Sequence, residues 1–153
     1  MGQQQLLLVI LVTIIVGIAT VVAINTFGSA ADSANLDAVR QDVASIAAAA
    51  QGYYMKPTML GGGGRAFNTG DGITFEQFAF AATHIDSDGK TTCNENGTYA
   101  ISGEAAGEFT ITAHPSSAWS SGSCTATTFP TSPSDDQLIA TVLPNNMQWT
   151  TSP

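Results

Sequence analysis

LLLVILVTIIVGIATVVAI, from Leu6 to Ile24, is followed without a proline by ADSANLDAVRQDVASIAAAAQGYY, from Ala31 to Tyr54. The first stretch is interrupted only by Thr13, Gly17 and Thr20, and residues 1–31 contain no Asp, Glu, Lys, Arg or His. It is long enough for one membrane-spanning helix, because a bilayer hydrocarbon core takes about 20 apolar residues at 1.5 Å rise each. The second stretch keeps the helical period but changes its solvent. Leu36, Val39, Val43, Ile46, Ala50 and Tyr53 recur at spacings of three and four, the stripe of an amphipathic helix. The opposite side carries Asp32, Asp37, Arg40, Gln41 and Ser45, with Asp37 and Arg40 placed at i, i+3 for a weak ion pair. Asn25, Thr26, Gly28 and Ser29 lie between the two stretches and form no turn cluster strong enough to break a helix. One helix from the N-terminus to about Tyr54 is expected, roughly 80 Å of it. Residues 1–30 form its apolar half and residues 31–54 its amphipathic half.

Two simpler roles compete for the apolar half. A secretory signal peptide would have a basic n-region, an apolar stretch of about 7 to 15 residues and a clear cleavage site, none of which is present. A plain signal anchor needs the same apolar length, but usually has Lys or Arg on its cytoplasmic flank.

Met1-Gly2-Gln3-Gln4-Gln5 followed by Leu6-Leu7-Leu8-Val9-Ile10 resembles the start of a mature chain of the type IV pilin superfamily. The likeness is close over the N-terminal third. Beyond it the outline is shared: a long helix, Tyr-Tyr-x-x-Pro at Tyr53 to Pro57, a connecting loop, a small β domain and a late cysteine pair. The resemblance implies an α+β fold, with the long helix packed on a small C-terminal antiparallel sheet. It implies a structural subunit that waits in the inner membrane, is polymerised by pilus assembly machinery, and ends in an extracellular filament on the cell surface. Its partners would be other copies of itself, and adhesion is among the roles such filaments serve. The filament core would be lined by Met1, Gln5, Leu6, Leu7, Leu8, Val9, Ile10, Ile14, Ile15, Gly17, Val21 and Val22. Alternatives are a pseudopilin of a type II-like secretion system, or a membrane-anchored extracytoplasmic binding module that never polymerises.

The chain departs from the family at two points. Gln5 stands where the family usually has glutamate, whose carboxylate meets the N-terminal amine of a neighbour. An amide costs far less than an unpaired carboxylate to hold in an apolar core, so register would come from packing and from hydrogen bonds of Gln3, Gln4 and Gln5. The second expected departure concerns the leader that the family removes after a glycine: the numbering is expected to start at the processed residue, with cutting after Gly2 as the alternative. Gly17 lowers helix propensity by about 1 kcal/mol relative to alanine, and β-branched residues flank it, which weakens the helix further. Stretching or melting between Thr13 and Val22 is therefore expected in an assembled filament.

The remaining chain, residues 55–153, is large enough for one small domain with a modest core. Twelve Asp plus Glu oppose four Lys plus Arg, and charged residues are only 10% of the chain. Nucleic-acid binding is not expected on that balance, because it depends on clustered cations that neutralise phosphates. Cys93 and Cys124 are the only cysteines, and a pair in an exported chain is expected to form one bridge. Closing a loop of about 30 residues would stabilise the domain by roughly 3 to 4 kcal/mol.

Lys56-Pro57 ends the long helix, since the residue before proline avoids the α region. Gly61 to Gly64 reads as a flexible loop; it lacks the Gly-Lys-Ser/Thr ending of a phosphate loop, and no strand precedes it. Thr74 and Gln77 form a capping-box pattern, expected to open a short helix to about Thr83 that lays Phe75, Phe78, Ala79 and Ala82 on the sheet. Strands are expected at Thr98 to Ser102, Glu108 to Ala113, Ser123 to Phe129, Gln137 to Leu143 and Met147 to Thr150, with a hairpin at Glu104 to Gly107. The core would include Tyr99, Ile101, Phe109, Ile111, Leu138, Ile139 and Val142.

No nucleophile, base and orienter set can be assembled, and neither His84 nor His114 lies in a catalytic motif; no enzyme activity or cofactor is expected. His84, Asp86, Asp88, Gly89 and Glu95 partly match a twelve-residue calcium loop. The competing reading is a polar turn held by Asx hydrogen bonds. Asn96-Gly97-Thr98 is an N-glycosylation sequon, and Pro115 to Pro133 is rich in Ser and Thr; Asn96 is the candidate glycan site.

Overall fold

The computed structural model describes residues 2–125, 129–130 and 137–151. The first element is a single helix, α1, Gly2–Met55. Six strands follow: β1 His84–Ile85, β2 Thr91–Cys93, β3 Gly97–Ser102, β4 Phe109–Pro115, β5 Leu138–Leu143 and β6 Asn146–Thr151. They form one antiparallel meander in chain order. The fold is α+β, a long N-terminal helix packed against a six-stranded sheet. The chain divides into two compact units, Met1–Ala34 and Asn35–Pro153.

In the second unit, α1 presents Val39, Val43, Ile46, Ala47, Ala50 and Tyr53 to the core, with Leu36 half-buried against it. The stripe is the one that the three-four spacing predicts. The sheet answers by alternation, since side chains point to opposite faces with period two. In β4, Phe109, Ile111 and Ala113 are buried, while Thr110 and Thr112 are half-buried on the other face. Leu138, Ala140 and Val142 do the same in β5. Ile139, expected in the core, pairs with Thr112 on the other face, and Ala140 takes its place beside Ile111. Phe67, Ile73, Phe75 and Phe78 close the core from the connecting segment, where rings meet edge to face or tilted: Phe67 with Phe109 at 5.0 Å and Phe80 with Tyr99 at 5.3 Å between centroids.

Two local expectations need correction. The helix expected to run from Thr74 to Thr83 is a single 3₁₀ turn, Phe75–Gln77, after which Phe78 is extended (φ −102°, ψ 146°). Its start signal is real, because Gln77 Oε1 accepts from the Thr74 N–H at 3.3 Å. An α-helix would carry Phe80 away from the side shared by Phe75 and Phe78. The extended exit lets all three reach the core, and leaves Ala79 exposed and Ala82 only half-buried. The strand expected over Ser123 to Phe129 is absent from its described residues, 126–128 lying outside them. β2 is already paired on both sides, by β1 and β3, so the segment bearing Cys124 reaches Cys93 over the sheet face rather than along an edge.

Candidate assembly surface

Among the described residues, the apolar half of α1 is exposed along its whole length. Leu6 is 64% exposed, Ile14 54% and Phe27 76%, and Leu7, Leu8, Val9, Ile10, Ile15, Val21 and Val22 are likewise open. Fully burying one such side chain is worth about 1.5 to 3 kcal/mol, so this surface is stable only under a lipid or protein cover. The helix is long and apolar enough to cross a membrane. Its three threonine hydroxyls are already satisfied locally. Thr13 Oγ1 donates to the Ile10 carbonyl at 2.9 Å, Thr20 to Val16 at 2.8 Å and Thr26 to Val22 at 2.9 Å. Hydroxyls bonded back onto their own helix can enter an apolar medium without an orphaned donor.

Gln5 lies on the first turns of α1 with Gln3 and Gln4, all exposed; Met1 lies outside the described residues. The helix passes unbroken through Gly17, where a Cβ would meet nothing within 4 Å. This is the isolated chain. The local melting expected between Thr13 and Val22 concerns the assembled state.

In the second unit three polar side chains on α1 pin the helix to the sheet domain. Asn35 donates to the Asn96 carbonyl at 2.9 Å and to Ser116 Oγ at 3.0 Å, and accepts from the Ser117 N–H. Gln51 donates to the Leu143 and Asn146 carbonyls at 3.1 and 3.3 Å. Between them, Asp42 Oδ2 accepts from Tyr99 Oη at 2.7 Å and from Nδ2 of Asn94 and of Asn96, each at 2.9 Å. Burial first, and then the bond to this carboxylate, push the Tyr99 phenol far above its ordinary range; the proton stays on Tyr99, donating to Asp42. The amphipathic pattern did not single out Asp42. Its signal in the sequence was an acid within the apolar stripe, two residues from the surface pair Asp37 and Arg40 that the spacing did identify, which meets at 3.2 Å.

The remaining candidate sites fall within the same domain. Asn96, the sequon residue, is half-buried and turned toward Asp42, and Thr98 is buried; a glycan on Asn96 Nδ2 would leave that nitrogen a single N–H for the bond to Asp42. The stretch that partly matches a calcium loop is the β1–β2 hairpin. His84 sits in β1, Asp86 Oδ1 accepts from the Ser87 N–H at 2.7 Å, and Asp88 Oδ1 accepts from the Lys90 N–H at 2.8 Å. Both aspartates serve the turn, while Glu95 is exposed beyond β2. Cys93 and Cys124 form the disulfide, with Cα atoms 5.7 Å apart. Cys93 shares its face with Thr98 and His114, by pairing register, and the His84 and Phe129 rings meet there at 5.6 Å. The bridge thus ties the segment after β4 over the face opposite α1.

Gly61 to Gly64, read as flexible, is a fixed cap on the end of α1. The N–H of Gly63 reaches the Tyr53 carbonyl at 2.9 Å, that of Gly64 reaches Lys56 at 3.0 Å and that of Arg65 reaches Tyr54 at 2.9 Å, satisfying acceptors that a helix end leaves open. A Cβ on Gly62 would land on the Lys56 carbonyl, and one on Gly63 on the Ala66 carbonyl. The run is glycine because the loop returns at backbone contact distance. Sequence composition shows such a run but not which atoms crowd it.

No protein-family model, curated protein or solved structure matches this chain.

Proposed function

We propose that this chain is the major structural subunit of an extracellular type IV pilus-like helical filament, polymerising through the apolar half of α1. The observation that carries the reading is the pairing of two surfaces on one helix. Residues 2–30 are uncharged, exposed and self-satisfied in their three threonine hydroxyls, whereas the continuation of the same helix is the buried spine of a folded domain. Before assembly the first surface lies in the inner membrane. During assembly the pilus machinery moves it into a bundle of identical helices. Lipid and a helix bundle are both apolar, so the transfer costs little, and association inside the bundle depends on close packing. Gln5 takes part as a neutral amide, sharing hydrogen bonds with Gln3 and Gln4 of nearby copies in place of a carboxylate–amine pair. The domain tiles the outside, with a disulfide suited to an oxidising exterior. The role is structural and involves no catalysis.

Electron microscopy of material sheared from producing cells tests this. Thin filaments containing the chain are expected, and tryptic peptides from them should begin at the α1 N-terminus. A monodisperse detergent-soluble monomer, with no filaments, would overturn the proposal in favour of an anchored binding module. Filaments restricted to a short periplasmic assembly would favour the pseudopilin reading.

A further inference from the structure

The four cations of this acidic chain are Arg40, Lys56, Arg65 and Lys90. Arg40 pairs with Asp37, and Lys90 with Glu104. Among the described residues, the side chains of Lys56 and Arg65 take part in no ion pair or hydrogen bond, and both are exposed. The cap brings their backbones together: the Arg65 N–H bonds to the Tyr54 carbonyl, and the N–H of the preceding Gly64 bonds to the carbonyl of Lys56, the residue after α1. Met55 at the end of α1 and Met59 and Leu60 in the loop after it are 69%, 96% and 66% exposed.

Arg65 is also the only described non-glycine residue with positive φ, 72°. Left-handed backbone disfavours a side chain, and the preceding Gly61 and Gly64 show what the loop uses at such angles, 75° and 59°. A fifth glycine would satisfy the cap equally well, because only the Arg65 N–H enters it. Among the described residues, the guanidinium makes no ion pair or hydrogen bond that offsets the strain. Residues held in strained conformations without a local return point to a function outside the fold.

We infer that Lys56 and Arg65, with the apolar knob of Met59 and Leu60, dock onto a carboxylate-bearing surface of a second copy of this chain. The occupant follows from charge. Both available cations sit at one place on a chain of net charge −8, while exposed Asp71, Glu76, Glu95 and Glu108 enter no ion pair among the described residues. A neighbouring copy is thus a ready source of acid, and attraction at this one point opposes the mutual repulsion of acidic subunits. The contact is heterologous, patch to a different surface, the kind that propagates along a filament. The inference rests on the filament reading for its repeated copies.

Zero-length carbodiimide coupling of the full-length chain, in native membranes and in sheared surface material, tests it. The reagent joins an amine to a touching carboxylate, so Lys90–Glu104 coupling within one chain is the internal control. A covalent dimer of twice the chain mass is expected, its linked peptide joining Lys56 to an Asp or Glu of the second copy, with yield falling at high salt. Arg65→Gly should cut that yield by roughly threefold to fivefold, as befits a surface ion pair, while Arg65→Lys retains it. The melting temperature of Arg65→Gly should equal or exceed that of the parent. A clearly lower one would mean that Arg65 serves the fold, and would overturn the inference. Filaments with the control coupling but no Lys56 dimer would overturn it and leave the filament reading standing. A Lys56 dimer in membranes without filaments would support it and sink the filament reading. Lys56 coupled only to a different protein would overturn the second copy as occupant.

Discussion

Asp42 illustrates how much one side chain can organise. Three donors converge on its Oδ2, two from the turn after β2 and one from the centre of β3, so this carboxylate, between Asn35 and Gln51, ties the middle of the docked helix to the sheet. Hydrogen bonds to a charged group contribute about 1.5 to 3 kcal/mol, and leaving buried donors unmet costs a similar amount. Asp42→Ala should therefore lower unfolding stability by about 3 kcal/mol, measured by denaturant titration of the detergent-solubilised chain, with Asp42→Asn recovering part. The linked phenol gives a pH signature. Tyr99 has its folded-state proton affinity raised above the unfolded value of 10.0, by burial and then by Asp42. Its contribution is whole below about pH 10 and is lost as the pH rises beyond it, because only the unfolded chain then releases that proton. Tyr99→Phe should make the alkaline fall in stability shallower; an unchanged slope would show that the phenol is not confined as described.

At the scale of elements, connections are stiffer than their composition implies. Gly61 to Arg65 closes over the end of α1, and Gly63→Ala puts a methyl group against the Ala66 carbonyl and the Tyr53 ring. A loss of about 1 to 3 kcal/mol is expected, read from thermal unfolding, whereas Gly52→Ala, with nothing within 4 Å, should be neutral or stabilising. The Cys93–Cys124 bridge spans 31 residues, and Cys93→Ser should cost roughly 3 to 4 kcal/mol and release the segment after β4 to proteolysis. The capping box at Thr74 was visible as a start signal, but the element's length was not. Whether the chain continues as a helix beyond Gln77 depends on where the core accepts Phe78 and Phe80. Short β1 and β2 escaped notice for a related reason: two- and three-residue strands have too few positions to show alternation, and exist because β3 offers an edge.

For the whole molecule, the proposed function turns on the contrast between the two halves of α1. Gly17→Ala should stabilise the isolated helix by about 1 kcal/mol and, if local melting accompanies assembly, reduce the amount of sheared filament without reducing membrane-held chain. Equal filament yield would remove melting from the assembly step. The sequence alone determined the long helix, the change of its solvent near Ala31, the inward stripe from Leu36 to Tyr53 and the strands β3 to β6. These follow from periodicity, which is local and repeats over many residues. Only the tertiary structure decided that Asp42 receives Tyr99, that the glycine run is a cap, that Ile139 turns out while Ala140 turns in, and that Arg65 takes a positive φ with no ion pair or hydrogen bond to its side chain among the described residues. Those facts depend on contacts between residues far apart in the chain, where backbone distance and side-chain direction select among arrangements that local pattern leaves equal.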